Sequence, residues 1–240
     1  MIHPLLAIAD GLTRQLDGLR FGLPVSCVYN PLEYARPAYA AYVDRYGSAD
    51  KEFLLLGMNP GPWGMVQTGI PFGEVSVVRD WLGIKSVVGQ PAQHHPRRPV
   101  LGFACRRSEV SGRRLWKWIQ GRWTTPAAFF RHGFVANYCP LAFFGVTGAN
   151  LTPDKLPVGD RAPLLSACDE ALRATVAWLR PRWVIGIGRF AAHRSAAALT
   201  GFSIRLGCLP HPSPASPLAN RGWETVADST WSALGVSCSS

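Results

Sequence analysis

The sequence lacks paired cysteines. Its six cysteines stand alone along the chain, and no two have the C-x-x-C spacing of metal ligands: Cys27, Cys105, Cys139, Cys168, Cys208 and Cys238. Iron–sulfur and structural zinc sites need clustered thiolates. We therefore expect no metal and no cofactor, and we expect free thiols of the kind found in a reducing compartment.

Long apolar runs are also missing. No stretch of about 18 consecutive apolar residues is present, so we expect no membrane-spanning helix and no membrane partner. The first residues do not look like a signal peptide, because leucines recur there at helical spacing with Asp10 and Arg14 between them. These features predict a soluble intracellular protein.

Lysine is scarce, and acidic residues are absent from long stretches. The chain has 21 arginines but only four lysines, and its net charge is +10. Residues 81–153 hold ten basic residues and a single acid, Glu109, while residues 171–223 hold seven basic residues and no acid. Such clustering favours a polyanionic partner, and nucleic acid in particular. The alternative is a generally basic protein with dispersed arginines.

Length and hydrophobicity predict one domain over residues 1–240, since 48% of the residues are hydrophobic and a full core can form. Apolar runs typical of buried strands alternate with amphipathic helices, which implies right-handed crossovers. We expect an α/β fold, a three-layer α/β/α sandwich around a central, mainly parallel four-stranded sheet. The predicted strands are Phe53–Leu56, Gly133–Asn137, Trp183–Ile187 and Leu206–Leu209, and the predicted helices that follow are Arg161–Arg180, Phe190–Leu199 and Leu218–Leu234.

Cations and aromatic residues alternate over Arg113–Trp118. This pattern would suit stacking on a single nucleic-acid strand combined with phosphate contacts. It is equally the pattern of an amphipathic helix with its tryptophans inside and its arginines in water, which is the interpretation we favour.

Two short segments stand directly after predicted strands. Gly57-Met-Asn-Pro-Gly61 follows Phe53–Leu56, and His211-Pro-Ser-Pro214 follows Leu206–Leu209. Parallel sheets bind ligands beyond the carboxyl ends of their strands, so both segments should reach one crevice. An uncharged amide and an imidazole suit a reaction that needs a positioned water and an anion stabiliser, without a strong nucleophile.

Two further residues are candidates for contact with a planar ligand. Phe72 stands between proline and glycine in a loop that is rich in both, where its ring could present a face or simply join the core. Asn137 ends an apolar run, and its amide could read the edge of a pyrimidine or cap a turn.

A glycine motif elsewhere points away from dinucleotide binding. Gly186-Ile-Gly-Arg-Phe-Ala191 matches G-x-G-x-x-A, but the first acid after it is Glu224, too distant to hold a ribose. We expect these glycines to permit close packing of strand and helix, or approach of a DNA backbone.

Four blocks of the sequence belong together: GMNPGPWGMVQTGIPFGEV at 57–75, RPVLGFACRRSEVSG at 98–112, FVANYCPLAFF with the later NLTPDKLP within 134–157, and HPSPASPLANRGWE at 211–224. In these blocks the chain resembles the single-strand-selective monofunctional uracil-DNA glycosylases, a branch of the uracil-DNA glycosylase superfamily. The resemblance extends from about residue 20 to residue 235.

This resemblance implies a catalytic pair. Asn59 would orient the attacking water, and His211 would donate a hydrogen bond to a uracil carbonyl as negative charge develops on the leaving base. An amide cannot accept the proton of water at neutral pH, so catalysis must depend on leaving-group stabilisation and water positioning.

The resemblance also implies a base pocket. Asn137 would hydrogen-bond the uracil edge and Phe72 would stack on the ring. Backbone around Gly61 and Met65 would hold a water near uracil C5, which would separate uracil and 5-hydroxymethyluracil from thymine.

A DNA-inserting loop is implied between His211 and Asn220, beside the flipped nucleotide. Some family members carry arginine where this chain has Ala215, and alanine is a small wedge. The implied DNA-binding residues are Ser213, Pro214, Ala215, Ser216 and Asn220.

The predicted function is therefore uracil excision from DNA that leaves an abasic site. A lyase needs an amine, and no lysine lies in the segments of Asn59, Phe72, Asn137 or His211. The expected partner is DNA, single-stranded or duplex, bound by a monomer in the bacterial cytoplasm and nucleoid or the eukaryotic nucleus. The alternatives are a sister glycosylase for a deaminated purine or a mismatch, and a non-catalytic single-strand-binding module.

Overall fold

A computed structural model describes residues 1–236 of the chain, apart from the side chain of Leu218. In chain order the strands are β1 (Val25–Tyr29), β2 (Phe53–Gly57), β3 (Gly133–Asn137), β4 (Ala142–Gly145), β5 (Asn150–Leu151), β6 (Trp183–Ile187) and β7 (Arg205–Leu209). The α-helices are α1 (Pro4–Asp17), α2 (Pro31–Tyr34), α3 (Arg36–Tyr46), α4 (Met65–Thr68), α5 (Val110–Arg122), α6 (Pro126–His132), α7 (Val158–Leu179), α8 (Arg189–Ala198) and α9 (Trp223–Leu234).

The central sheet has the strand order β3-β2-β6-β7, and every neighbouring pair is parallel. This confirms the four predicted strands. Because Phe53 pairs with Gly133 and Gly57 pairs with Asn137, β2 and β3 end side by side at the carboxyl edge. That edge is where parallel sheets place their ligand sites.

Helices cover both faces of the sheet, as predicted for a three-layer sandwich. In β6, Gly186 faces α8, where an added Cβ would lie 2.6 Å from the Cα of Ala192. Its neighbour Ile185 pairs with Gly207, which faces Leu234 of α9. Successive residues of a strand point to opposite faces, so α8 and α9 lie on opposite sides. Helix α7 packs against α8 and α1, and α5 packs beside α9.

A second, antiparallel sheet of order β1-β4-β5 was not predicted from the sequence. Strand β5 has two residues, and all four residues of β4 are buried. Neither strand has the polar–apolar alternation by which a half-exposed strand is recognised. This sheet follows directly from the β3 end, since β4 begins five residues after Asn137.

The helix predictions are correct in position but not always in extent. The predicted helix Leu218–Leu234 is wrong as a single element: a 3₁₀ turn over Leu218–Arg221 is separated from α9 by Gly222, whose φ of 102° is not helical. Helix α7 begins three residues before the predicted start and ends before Pro181, as expected. In α5, Trp116 and Trp118 are buried, which confirms the amphipathic-helix interpretation.

Five cysteines have free thiols, as expected, and Cys238 lies outside the described residues: Cys27, Cys105, Cys139, Cys168 and Cys208. Within residues 1–236, no helix combines the length and the apolar character needed to cross a membrane.

Candidate active site

A cavity of about 410 Å³ opens at the carboxyl ends of β2 and β3. It brings together most of the residues predicted from the sequence: Asn59, Gly61, Met65, Phe72, Asn137, His211, Ser213 and Pro214 line it. Ala215, Ser216 and Asn220 belong to the same loop as His211 but do not line the cavity. The volume is within the usual range for a small-molecule pocket.

Gly57 is the point about which the base-facing residues are arranged. A Cβ built on Gly57 would overlap the amide oxygen of Asn137 and the ring of Phe72. Only glycine leaves enough room for both side chains above the end of β2. Asn137 and Phe72 are therefore held in one small volume, although they are 65 residues apart in the sequence.

The amide of Asn137 has a partner within the cavity wall. Its Nδ2 donates to the Sδ of Met65 at 3.3 Å. Met65 begins α4, and its side chain is buried. The thioether sulfur is only an acceptor, so this contact defines which end of the amide faces Met65.

Phe72 has a strained backbone, with a φ of 54° that non-glycine residues rarely adopt. Such a conformation costs ~1–3 kcal/mol and persists only where the surroundings enforce it. The carbonyl of Phe72 accepts hydrogen bonds from the Trp116 indole at 3.0 Å and from the Glu74 backbone at 2.8 Å. The ring remains partly exposed at the cavity, so Phe72 packs against the core yet keeps an accessible surface.

Glu74, close to Phe72 in the sequence, has a structural function. Its carboxylate accepts hydrogen bonds from the Ser76 hydroxyl at 2.6 Å and from the Val77 backbone at 3.1 Å. These contacts stabilise the start of the π-helical turn Val77–Trp81.

Asn59 is anchored through one end of its amide. Nδ2 donates to the Leu141 carbonyl at 3.2 Å, which links the β2 loop to the segment before β4. The Oδ1 atom then remains as the acceptor that can orient a ligand or a water molecule.

His211 follows β7 by two residues, and its ring is fixed by its own loop. The Nδ1 atom accepts a hydrogen bond from the Ser213 backbone at 3.1 Å. Burial lowers the pKa of His211 below its ordinary value, so the imidazole is neutral at pH 7. A neutral imidazole that accepts at Nδ1 carries its proton on Nε2, which makes Nε2 the donor.

Gly188 allows His211 to reach this position. Its φ is 92°, and an added Cβ would lie 3.1 Å from the Cβ of His211. The glycines of the G-x-G-x-x-A segment therefore serve close packing, since Gly186 contacts α8 and Gly188 contacts His211.

The loop after His211 is braced from α5. Arg114 donates to the Pro212 carbonyl at 2.8 Å and to the Asn220 Oδ1 at 3.1 Å, and the Nδ2 of Asn220 donates to the Pro214 carbonyl at 2.8 Å. Both ends of the Asn220 amide are thus engaged within the loop. Ala215 is exposed at its tip.

Glu109 lines the cavity but was not predicted as a site residue. In the part of the chain that the structure describes, its Oε2 is the one buried side-chain polar atom without a hydrogen-bond partner. It lies against Gly61 and Gly64. Burial raises the pKa of Glu109, and the backbone amides of Trp63 and Ser111 partly oppose this. A sequence signal did exist, because Glu109 is the only acid in residues 81–153.

Five of the seventeen cations in the two basic stretches form ion pairs with acids of the same chain. Arg107, in contrast, has no acidic partner within residues 1–236, and its guanidinium lies 4.4 Å from the ring centroid of Trp63 at the cavity wall. The charge available to a polyanion is therefore smaller than the sequence count. The paired cations are Lys117 with Glu224, Arg122 with Asp228, Arg180 with Asp50, Arg182 with Glu52 and Arg194 with Asp169.

The sequence matches the family model of the uracil DNA glycosylase superfamily over residues 45–234. It is 51% identical over 227 residues to the single-strand selective monofunctional uracil-DNA glycosylase of Rattus norvegicus, an alignment that covers 94% of this chain and 82% of the relative. The corresponding protein of Mus musculus is 50% identical over 227 residues, with 94% and 81% covered.

The chain therefore belongs to the uracil DNA glycosylase superfamily and, within it, to the family of single-strand selective monofunctional uracil-DNA glycosylases. A crystal structure of wild-type SMUG2 from Pedobacter heparinus has the same fold, with a TM-score of 0.67 at 18% identity. That comparison covers 96% of this chain and 99% of the other.

Gly57→Ala should disrupt the cavity without unfolding the protein. The new methyl group would displace Asn137 and Phe72, so we expect activity on uracil-containing DNA to fall at least ~10-fold, the cost of about 1.4 kcal/mol in the transition state. Gly121→Ala in α5 is the matched control, because no atom lies within 4 Å of its added Cβ. Equal activity of the two variants would contradict the close approach at Gly57.

Glu109→Gln should change how stability depends on pH. Burial raises the pKa of Glu109 in the folded protein, so the folded protein keeps a proton that the unfolded chain loses above about pH 4.5. The free energy of unfolding therefore falls as the pH rises from the unfolded-state pKa to the folded-state pKa. Glutamine has no such proton. We expect urea unfolding at pH 4 and pH 7 to show the variant gaining stability relative to wild type as the pH rises. Parallel pH curves for the two proteins would rule this out.

Proposed function

We propose that this protein excises uracil from DNA by hydrolysing the N-glycosidic bond, and that it leaves an abasic site without cutting the strand. The observation that carries the proposal is the convergence of Asn59, Phe72, Asn137 and His211 on one cavity. Family membership supports the same activity. A stacked base cannot reach such a cavity, so the nucleotide must be flipped out of the helix.

The base is read by contacts at its face and its edge. Phe72 offers a partly exposed ring for stacking. Asn137 offers an amide whose oxygen accepts from uracil N3–H and whose nitrogen donates to O4. Gly61 and Met65 also line the cavity, and we propose that 5-hydroxymethyluracil places its substituent beside them.

Bond cleavage leaves an oxocarbenium-like sugar and an anionic base. The Nε2–H of His211 donates to a uracil carbonyl oxygen as its charge develops, and Oδ1 of Asn59 orients the attacking water. The water oxygen bonds to C1′ of the sugar in place of N1, and the proton it releases neutralises the uracil anion. Neither side chain therefore needs to change its charge during the reaction. No step requires a metal, a cofactor or a lysine, and the cavity lining contains no lysine.

The non-catalytic alternative would not require Asn59 and His211 to face one cavity. Hypoxanthine, a deaminated purine, also presents a ring N–H donor beside a carbonyl acceptor, so the Asn137 amide alone does not separate it from uracil. Membership of the uracil-DNA glycosylase family favours uracil. We propose that the protein acts as a monomer. It would work where the DNA is, in the nucleoid of a bacterium or the nucleus of a eukaryote.

Uracil release is the direct test. With a single-stranded uracil oligonucleotide in excess EDTA, we expect free uracil and strand breaks only after alkali. His211→Ala and Asn59→Ala should each slow single-turnover cleavage at least ~100-fold, with little change in DNA affinity. His193→Ala is the control, since His193 is exposed on α8. Near-normal cleavage by Asn59→Ala would refute the water-positioning role, and alkali-independent breaks would refute monofunctional chemistry.

The exposed Ala215 sets an expectation for strand preference. Alanine fills little of the gap left by a flipped base, whereas a single strand has no partner base to separate. We expect uracil to be cleaved faster in single strands and in U:G mismatches than in U:A pairs. Ala215→Arg should reduce this difference in cleavage rate.

Ala127→Arg is the charge-matched control. Ala127 is exposed on α6 and does not line the cavity. Single-turnover rates on the three substrates decide the question. Equal wild-type rates on U:A pairs and single strands would show that another residue supplies the wedge.

A further inference from the structure

The contact between Met65 and Asn137 has consequences for base choice. A carboxamide is nearly symmetric in size, and a 180° rotation of its terminal bond exchanges donor and acceptor ends. In this structure the Nδ2 of Asn137 donates to the Sδ of Met65 at 3.3 Å. In the rotated amide, Oδ1 would face a sulfur that has no hydrogen to donate, so the rotated form loses this bond.

The other end of the amide faces the base position. The Oδ1 atom lies above Gly57 beside the Phe72 ring, since a Cβ on Gly57 would meet both. The two ends of the amide are therefore distinguished by their surroundings. One hydrogen of the nitrogen is directed at sulfur and the second remains for O4 of the base, while the oxygen lies beside the ring on which the base would stack.

Uracil and cytosine differ at the edge that such an amide reads. Uracil offers the N3–H donor and the O4 acceptor, while cytosine offers the N3 acceptor and the N4 amino donor. When the base lies with N3 opposite Oδ1 and its position 4 opposite Nδ2, the observed orientation of Asn137 matches uracil. Cytosine would need the rotated amide.

We propose that Met65 is a positioning residue that determines base specificity, because its sulfur holds the Asn137 amide in the orientation that fits uracil and not cytosine. This inference rests on the proposed function, in which Asn137 reads the base edge. In this proposal Met65 contacts Asn137 and affects base recognition only through the orientation of the Asn137 amide.

The surroundings of Met65 keep its sulfur in place. The side chain is 2% exposed. Its backbone carbonyl accepts from Gly69 at 2.8 Å, and the next residue, Val66, accepts from the Tyr34 hydroxyl at 2.7 Å. The short helix α4 is thus fixed to the body of the protein, and the thioether has little freedom to follow a rotating amide.

Met65→Leu tests the proposal, because leucine keeps the apolar volume but removes the acceptor. The probes are single-stranded oligonucleotides with one 2′-fluoro-2′-deoxyuridine or one 2′-fluoro-2′-deoxycytidine, whose glycosidic bonds resist cleavage. One lost hydrogen bond corresponds to about a fivefold change in affinity. We expect the variant to bind the cytidine probe about fivefold more tightly than wild type does, with less than a twofold change for the uridine probe.

A purely structural role for Met65 would weaken binding of both probes, and that result would overturn the proposal. Should leucine disturb the fold, norleucine replaces the sulfur by a methylene. The chain has three methionines, Met1, Met58 and Met65. If Met58 is first changed to leucine, norleucine incorporated in place of methionine replaces only Met1 and Met65. Met58→Leu containing methionine is its control.

Two failures can be told apart. If wild-type protein releases no uracil, the proposed function is wrong, whatever the binding ratios are. If wild type releases uracil but the ratio of the two dissociation constants is the same with and without the sulfur, only the specificity role of Met65 is wrong.

Discussion

The parallel register of β2 and β3 is the constraint on which the site depends. It places Gly57 directly beside Asn137, so that the residue without a side chain makes room for the residue that reads a base edge. The same gap at Gly57 admits the ring of Phe72. A shift of this register by one residue would direct Asn137 to the opposite face of the sheet. Both loops that follow β2 and β3 would then lose their common cavity.

The strained backbone beside Gly57 has an energetic cost, which hydrogen bonds from neighbouring residues offset. The left-handed backbone at Phe72 costs ~1–3 kcal/mol, and two hydrogen bonds to its carbonyl, each worth about 1 kcal/mol net, balance much of it. Asn59 and His211 are anchored in a similar way, through one polar atom each, which leaves the other free for chemistry. Preorganisation of this kind lowers the reorganisation needed when charge develops on a leaving base.

The sequence predicts the central sheet well because each strand is a continuous apolar run, and it predicts the cavity because the motifs stand at strand ends. Asn59 and His211 can be placed near one another by topology alone. The antiparallel sheet could not be predicted, because β5 has only two residues and β4 lacks the alternation of polar and apolar residues that marks a half-exposed strand. Two features of the site could not be predicted for another reason. The loop-bracing contacts of Asn220 and the place of Glu109 in the cavity wall depend on long-range contacts, which leave no periodic pattern in the sequence.

Charge is divided between the depth of the cavity and its mouth. The groups that would meet the base are neutral amides and an imidazole whose pKa is lowered by burial, so they donate hydrogen bonds without a proton being transferred. The one carboxyl among the lining residues, that of Glu109, has a buried Oε2 atom, and burial opposes its ionisation. A full negative charge at that position would repel a departing uracil anion. Positive charge lies outside, where Arg107 contacts Trp63 without an acidic partner in residues 1–236. A phosphate backbone is therefore attracted to the mouth, while the interior favours the anion that forms only during the reaction.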